Sequence, residues 1–283
     1  MINTEEEHKR KNYLISVDGS GYSNWGFDLI FKELFRKGDH ITVLHVTNEN
    51  KKDIPFKYQA DQIMSQYETK LLGKLPKDDF SLVKKGRKND SEHALEVVYE
   101  ISTQGNADMI ILGTQGHKGA KSTKEISKGI MFIVKFIPIP SLIVKEKTQR
   151  EFKENKGFNW LVCLEDNLSR SFKVFEFVLS LIDKEKDTII GFNLWQLEQN
   201  KELEDSFEKL CGKLNVKNRR FVSNQRNPNT SIGKSICDFV NFGDDYIDFI
   251  SIGHNISKYP EPEYSPTIEI LKYAQANILF SRA

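Results

Sequence analysis

Residues 12–46 read NYLISVDGSGYSNWGFDLIFKELFRKGDHITVLHV, and this stretch decides the fold. It begins with a short apolar run rich in β-branched residues, which is typical of a strand. A polar turn follows, and apolar residues then recur at helical spacing, for example Phe27, Ile30 and Leu34. A charged turn containing Asp39 leads into a second apolar run. The order strand, helix, strand predicts a βαβ unit with a parallel sheet.

The same order of elements returns later in the chain. Residues 159–194 read NWLVCLEDNLSRSFKVFEFVLSLIDKEKDTIIGFNL, with the same sequence of apolar run, turn, helical pattern and apolar run. Further on, ADMIILGTQG corresponds to YIDFISIGHN, which aligns Asp108 with Asp248 and Gly113 with Gly253. The chain is therefore an internal repeat of two α/β halves.

The boundaries of the two halves follow from composition and from the repeat. We predict a charged tail over 1–11, a first domain over 12–145, a charged linker over 146–158 and a second domain over 159–283. Within the first domain we predict strands near 13–17, 40–46, 80–85, 108–112 and 141–145, and helices near 23–37, 56–75, 91–103 and 126–136.

Composition narrows the classes of partner. The chain has 41 Lys and Arg against 40 Asp and Glu, and this balance argues against nucleic acid as the main ligand. We see no signal peptide in the charged first residues, and the longest apolar run is too broken to span a bilayer. Three cysteines without CxxC spacing suggest reduced, buried thiols. These features predict a cytoplasmic protein with no membrane partner.

Two loops carry the chemistry of a candidate ligand site. VDGSGYS follows the first strand, and GTQGHKGAKSTKEISKG follows the fourth. In a doubly wound sheet ligands lie beyond the carboxyl ends of the strands, so Asp18 and Gly113 would flank one crevice. Gly113, Gly116 and Gly119 would let backbone N–H groups approach a polyanion, and Asp18 would accept hydrogen bonds from a ribose or a base. The alternative is an ordinary turn in which Ser23 caps the helix.

Several other motifs fail on their spacing. NPNTSIGKS resembles a phosphate-binding loop, but Pro228 stands where its first glycine belongs, and a helix start explains Ser231–Ser235 better. The six histidines show no metal-ligand spacing. His45 is expected within a strand and His40 at its entrance. We find no activated nucleophile, so we predict no catalytic residues, no metal site and no enzyme activity.

The chain resembles the universal stress protein family through LISVDGSGYSNWGFDLI, ITVLHV, ADMIILGTQGHKG and IPIPSLIVK, in that order. The resemblance is fainter in the second half. It implies two doubly wound domains of the α/β class, each with a five-stranded parallel sheet, paired through their last strands as a pseudo-dimer within one chain. It also implies an ATP site in one branch of the family, formed by an aspartate after the first strand, a valine ending the second and a G-x2-G-x9-G-(S/T) loop.

These residue types map onto the first half in part. Asp18, with its neighbours Val17 and Gly19, takes the aspartate place and Val46 the valine place. Gly113 and Gly116 start the loop, with Gly119 as a further glycine. Ile126 stands where the third glycine belongs. Ser127 follows it in the hydroxyl place, and Gly129 lies three positions late. Ile126 could block the phosphates, or the loop could shift its register to use Ser127 or Gly129.

The second half departs further from the pattern. Glu165 or Asp166 keeps an acid near its first strand. After Gly253, however, the loop reads HNISKYPEPEYSPT, and its prolines lack N–H donors for phosphate. We expect this half to have lost nucleotide binding and to serve in domain pairing, homo-oligomer formation or contact with a protein partner. Its aromatic residues are expected in the core, with Phe172 and Trp195 as candidates for an exposed patch.

Two functional hypotheses follow. The first is a cytoplasmic regulatory module of the universal stress type that binds ATP or a related adenine nucleotide, with or without magnesium, in the first domain. It does so without significant turnover, with at most weak, incidental ATP hydrolysis. The second is a non-catalytic structural or adaptor subunit of a larger, for example cytoskeletal, assembly with no nucleotide bound.

Overall fold

A computed structural model describes residues 9–48, 53–89, 91–116, 126–145, 157–165, 167–195, 201–254 and 265–282. These residues fall into two compact units, residues 1–117 and residues 118–283. In the described part of the chain no helix is long and apolar enough to cross a bilayer.

The first unit alternates strands and helices. In chain order its elements are β1 (Asn12–Ser16), α1 (Gly21–Leu29), β2 (His40–Thr47), α2 (Ala60–Leu71), β3 (Phe80–Gly86), α3 (Ala94–Gln104) and β4 (Met109–Gly113). The four strands lie in the order β3-β2-β1-β4, and every pairing is parallel. A π-helical segment, Ile30–Leu34, extends α1, and 3₁₀ turns cover Phe56–Tyr58 and Lys77–Asp79.

The second unit holds the remaining elements. They are α4 (Lys128–Phe136), β5 (Ser141–Val144), β6 (Asn159–Leu164), α5 (Leu168–Leu179), β7 (Thr188–Trp195), α6 (Lys201–Lys213), β8 (Asn218–Gln225), α7 (Ile232–Phe242), β9 (Phe249–His254), α8 (Pro266–Tyr273) and β10 (Asn277–Arg282). The strands lie in the order β5-β10-β9-β6-β7-β8. All described pairings are parallel except that of β5 with β10, which is antiparallel. The last strands of the two sequence halves therefore pair with each other.

Each half contributes five strands, and the predicted α/β class with a mostly parallel sheet is confirmed. The five strands predicted in the first half agree with β1–β5 to within a residue at each end. One local prediction is wrong: Ser20, not Ser23, caps α1, because the helix begins at Gly21. The compact units divide the chain between 117 and 118, and the predicted boundaries at 145 and 159 stay a prediction.

The repeat is visible in hydrogen bonds at the amino ends of the strands. The backbone N–H of Lys11 donates to Asp39 Oδ1 at 2.9 Å, and that of Phe158 donates to Asp187 Oδ1 at 2.7 Å. Both aspartates are almost fully buried. A buried carboxylate that accepts backbone N–H groups replaces water at the entry of the first strand of each half.

A second pair of carboxylates, which stand directly before β4 and β9, repeats the arrangement. The N–H of Asn12 donates to Asp108 Oδ2, and the N–H of Asn159 donates to Asp248 Oδ2, both at 2.8 Å. The same two chemical roles recur at corresponding positions of the halves, which supports the repeat at the level of individual atoms.

Candidate functional site

The candidate site begins in the turn between β1 and α1. Asp18 Oδ1 accepts a hydrogen bond from the N–H of Ser20 at 3.0 Å. Ser20 Oγ in turn accepts from the N–H of Ser23 at 3.2 Å and caps α1. Gly19 has φ +79°, a conformation that L side chains rarely adopt. The turn thus fixes the Asp18 carboxylate at the carboxyl end of the sheet.

The exit of β4 lies against this turn, since β4 pairs with β1. A Cβ added to Gly113 would stand 2.6 Å from Tyr22 Cβ and 3.2 Å from the nitrogen of Ser23. A Cβ added to Gly116 would stand 2.7 Å from Asp18 Oδ2. Gly113 is needed because its added Cβ would collide with Tyr22 and crowd the backbone of α1. At Gly116 the obstacle is the end of the Asp18 side chain, which would have to move to admit a larger residue. The structure therefore brings Asp18, Gly113 and Gly116 together at one edge.

The exit of β2 completes the described part of this edge. Val17 is buried and donates its N–H to Leu44 O at 2.9 Å, which continues the sheet beyond β1. His45 is buried within β2, as predicted, and its Nδ1 lies 2.7 Å from Val17 O. Val46 follows near the end of β2 and is half-buried. Val46 and Asp18 therefore leave adjacent strands at the same side of the sheet.

Sequence reasoning missed the residues that cover Gly19. A Cβ on Gly19 would meet Ile63 Cδ1 at 3.1 Å and Tyr58 Cδ1 at 3.2 Å. Both residues come from the segment between β2 and β3, where a helix was predicted but no contact with the first turn. No local signal reports such a contact, because it depends on how α2 packs on the sheet. Tyr58 and Ile63 form one wall of the edge.

Tyr67, which lies four residues after Ile63 in α2, is a buried polar residue on the same helix. Its hydroxyl donates to Asn24 Oδ1 at 2.9 Å, and the side chain is fully buried. Burial raises the pKa of Tyr67 well above its usual range, and the charge of Asp18 adds to the effect. Tyr67 therefore stays protonated and acts as a fixed hydrogen-bond donor under α1.

The structure describes the predicted phosphate-binding loop after β4 only at its two ends. Gly119 lies outside the described residues. Ser127 is described in the second unit, where its Oγ accepts from the N–H of Ile130 at 3.2 Å and caps α4. Gly129 is the second residue of α4, and Ile126 is half-buried. The hydroxyl of Ser127 thus already has a structural role.

The second half keeps the turn geometry but changes its chemistry. Ser171 Oγ accepts from the N–H of Glu165 at 2.7 Å, as Ser23 Oγ does from Asp18 at 3.4 Å. Asn167 caps α5, and Asp166 lies outside the described residues, as does most of the proline-containing loop. Phe172 and Trp195 are half-buried, so neither is a fully exposed patch residue.

The sequence that resembles a phosphate-binding loop is a helix start, as predicted. Ser231 caps α7, and its Oγ also donates to Glu269 Oε2 at 2.6 Å. A Cβ on Gly233 would stand 2.7 Å from Pro266 O and 2.5 Å from Glu269 Oε2. Gly233 is therefore needed for the close packing of α7 on α8.

Among the described residues no group of three or more His, Cys, Asp or Glu side chains could hold a metal ion. At the first-half edge the described groups offer one carboxylate acceptor, a backbone that approaches closely at two glycines and a capped helix start. Such a set can bind hydroxyl or amino groups of a ligand, and it contains no described nucleophile–base pair for turnover.

Comparisons by sequence give no match, either to protein-family models or to curated proteins. Comparison with solved structures does find the fold. A universal stress protein from Archaeoglobus fulgidus is similar over 96% of this chain and 98% of its own, with TM-score 0.66 and 14% identity. A putative universal stress protein from Pseudomonas aeruginosa is similar over 97% and 94%, with TM-score 0.59 and 12% identity.

The cytoplasmic domain of a prokaryotic cation chloride cotransporter is also similar, over 96% of this chain and 95% of its own, with TM-score 0.53 and 9% identity. At these identities the likeness concerns the fold alone. The chain therefore has an α/β fold of the universal stress protein type over nearly its whole length, and the fold is shared by proteins of different function.

Proposed function

We propose that the first half binds ATP or a related adenine nucleotide and that the chain is a regulatory module without significant turnover. The observation that supports this most is the close approach of Asp18 and Gly116 at the carboxyl edge of a doubly wound sheet. Ligands of such sheets lie at this edge, where the strand order reverses between β1 and β4.

Each residue of the edge has a role in this proposal. Asp18 accepts hydrogen bonds from ribose hydroxyls or the adenine amino group, and its orientation is set by the N–H of Ser20. The chain at Val17 and Val46 offers an apolar border for the base. Gly113 and Gly116 allow the backbone of the β4 exit to approach the ligand. Magnesium would arrive with the phosphates, and we assign no side chain to it.

Regulation would follow from linkage between binding and stability. A ligand that binds only the folded state adds stability in proportion to the logarithm of its concentration over its dissociation constant. Because Asp18 and Gly116 come from different strand exits, nucleotide that contacts both of them would hold the β1 and β4 loops together. The reduced cysteines, all of which are free thiols, agree with the proposed cytoplasmic location.

A nucleotide titration of the full chain tests the proposal. We expect saturable binding of ATP at millimolar concentration or below, weakened by about tenfold or more in Asp18→Ala, with no release of phosphate beyond the uncatalysed rate. Ser231→Ala is the matched control, since it changes the phosphate-loop lookalike and should leave ATP binding unchanged.

The alternative function is a non-catalytic adaptor. Exposed aromatic residues of the second unit support it, among them Phe242, which is 81% exposed, Tyr273 at 53% and Tyr246 at 45%. Asn241 joins the ends of α7 and α8, since its Nδ2 donates to Tyr273 O at 2.9 Å. Recovery of the chain as a stoichiometric component of a purified assembly, with no ATP binding, would favour this function over the first.

A further inference from the structure

Strand β8 lies at the outer end of the sheet in the second unit. It pairs with β7 along its whole length, and no described strand lies on its other side. Each residue of β8 is exposed or half-buried, and none is buried. The backbone groups on the outer side of such a strand are a template for pairing with another strand.

A hydrogen bond at the end of β8 shows which of its residues face outwards. The N–H of Arg226 donates to Trp195 O at 2.8 Å, so the backbone groups of Arg226 point to β7. In a parallel pair the N–H and C=O of one residue point to the same side, and the side alternates along the strand. The residues whose backbone groups face away from β7, which form the open edge of β8, are therefore Arg219, Phe221, Ser223 and Gln225.

The two charged side chains at the start of β8 are held in ion pairs. Arg219 Nε donates to Glu208 Oε2 of α6 at 2.9 Å. Arg220 pairs with Asp245, which lies between α7 and β9. The next five residues of the strand, Phe221–Gln225, carry no charge. This part of the open edge therefore lacks the charged side chains by which edge strands resist pairing.

The outer strand of the first unit has a different character. β3 ends the row of strands in that unit, and Lys84 and Lys85 lie within it. Lys88 follows the strand and is exposed. Lysines on an edge strand oppose its pairing with another chain. Of β3 and β8, we therefore expect β8 to take a partner.

We propose that the open edge of β8 binds a second copy of this chain, by antiparallel pairing of the two β8 strands about a two-fold axis at Val222. This register pairs the outward-facing residues with each other, Phe221 with Ser223 and Arg219 with Gln225, and each pair occurs twice in the dimer. Each pair exchanges two backbone hydrogen bonds, so the two strands share about eight.

Charge complementarity favours a second copy as the occupant. In this register Arg219 stands opposite Gln225 of the second copy. Arg220 stands opposite Asn224 of the second copy in the same way. Each arginine thus faces a neutral amide whose oxygen accepts hydrogen bonds, and no like charges are placed opposite each other.

The neighbouring registers fit less well. With the axis at Ser223, Arg220 would stand opposite Arg226, and like charges directly opposite each other destabilise a strand pair. With the axis at Phe221, Gln225 would lie beyond the other β8 strand, and backbone pairs would be lost. The register about Val222 engages the whole strand. The interface uses no residue of the first-half edge, so it does not depend on nucleotide binding.

Sedimentation velocity of the full chain, from about 1 μM to about 500 μM, tests the proposal, and we expect a dimer fraction that rises with concentration. Ser223→Pro removes an outward N–H that β7 does not use, so it should leave the chain folded and weaken the dimer by about tenfold or more. Lys84→Pro is the matched control. The N–H of Arg87 donates to Thr47 O, so by the same alternation the N–H of Lys84 faces away from β2. This variant should leave the dimer unchanged.

Gln225 tests the register without a change in the backbone. Its side chain is exposed, so its substitution should not affect folding. Gln225→Glu places a carboxylate opposite Arg219 and should tighten the dimer by about threefold or more, whereas Gln225→Arg should weaken it by a similar factor. If Ser223→Pro does not fold, these two variants still decide the question.

The proposal fails if the chain stays monomeric at the highest concentration. It also fails if folded Ser223→Pro dimerises as well as wild type, or if Lys84→Pro weakens the dimer equally. Equal effects of Gln225→Glu and Gln225→Arg would overturn the register about Val222.

Discussion

Asp18 Oδ2 lies 2.7 Å from the position that a Cβ would take at residue 116, so the side chain of any residue larger than glycine there would collide with it. The other carboxylate oxygen is held by the N–H of Ser20 at 3.0 Å. The contact links two loops that are 98 positions apart in the sequence (Asp18 and Gly116). Because the two residues lie in separate loops, each can be substituted alone or together with the other, and the energetic coupling between them can be measured.

The first prediction concerns Gly116→Ala. The added methyl displaces the Asp18 carboxylate from its bond with Ser20, so we expect ATP affinity to fall by about tenfold while global stability changes by less than about 1 kcal/mol. Calorimetric titration and urea unfolding measure the two quantities. In an Asp18→Ala background the same substitution should have no further effect on affinity, because the displaced group is gone. Additive losses in the double variant would show that the two residues act independently.

The second prediction separates packing from phosphate binding at Gly233. Its Cβ would meet Pro266 O at 2.7 Å, which is backbone and cannot move aside without shifting α8. We expect Gly233→Ala to lower the free energy of unfolding by about 1–3 kcal/mol and to leave ATP affinity unchanged.

Gly212→Ala is the control for that substitution. It also lies in a helix, α6, but nothing stands within 4 Å of its added Cβ. It should stabilise the protein by about 0.5–1 kcal/mol. A loss of ATP binding in Gly233→Ala with normal stability would instead revive the phosphate-loop interpretation.

The third prediction concerns the buried carboxylate of Asp187. Its Oδ1 accepts from the N–H of Phe158 at 2.7 Å, and its Oδ2 accepts from the N–H of Asp183 at 2.9 Å and from Trp160 Nε1 at 3.3 Å. An amide in its place would turn an NH₂ group toward at least one of these donors. Asp187→Asn should therefore lower the free energy of unfolding by about 1–3 kcal/mol, measured by urea denaturation.

The pH dependence of that effect has a definite sign. Burial raises the pKa of Asp187, against the lowering effect of its hydrogen bonds, so its folded form holds the proton more tightly than the unfolded chain. The associated stability is present at low pH and is lost as pH rises through the raised pKa. The deficit of Asp187→Asn should thus be larger near about pH 4 than near about pH 7. A deficit that grows with pH would contradict this assignment.

The fourth prediction concerns Lys145, which follows β5. Its Nζ donates to Ala274 O at 2.7 Å, at the end of α8. Desolvation lowers the pKa of Lys145 to about 8, although the nearby Cys237 opposes the shift. Between that value and the ordinary lysine pKa the unfolded chain binds more protons than the folded one, so stability rises with pH in this window.

Lys145→Met should remove this rise. We expect the stability difference between wild type and variant to grow in favour of wild type from about pH 8 to about pH 10. Thermal or urea unfolding across that range measures it. A difference that is flat, or that shrinks with rising pH, would show that the lysine is not desolvated as described.

Much of the fold could be predicted because strands of a parallel sheet are nearly continuous apolar runs. MIIL, YLI and ITVLHV are such runs, and each became a strand within a residue of its expected ends. Helix ends were harder to predict. α1 begins at Gly21 because the Asp18 carboxylate and Ser20 form the capping turn together, and the choice between Ser20 and Ser23 depends on that geometry.

From the sequence, the candidate site could be predicted only at positions where the residue type indicates a single structural role. Glycines after a buried strand suggest close backbone approach, and Gly113 and Gly116 show it. The covering of Gly19 by Tyr58 and Ile63 was not predictable, since it depends on packing between distant segments. The open edge of β8 was missed as well, because no local pattern indicates which strand ends a sheet.

The most direct test of the central claim is the structure of the full chain determined with ATP and magnesium, for wild type and Asp18→Ala. The account predicts nucleotide density at the carboxyl edge of the first-half sheet, in contact with the Asp18 carboxylate and the Gly116 backbone, in wild type, and its loss in Asp18→Ala. Nucleotide bound elsewhere in wild type, or the Asp18–Gly116 edge filled by side chains of this chain with no density at millimolar ATP, would contradict it.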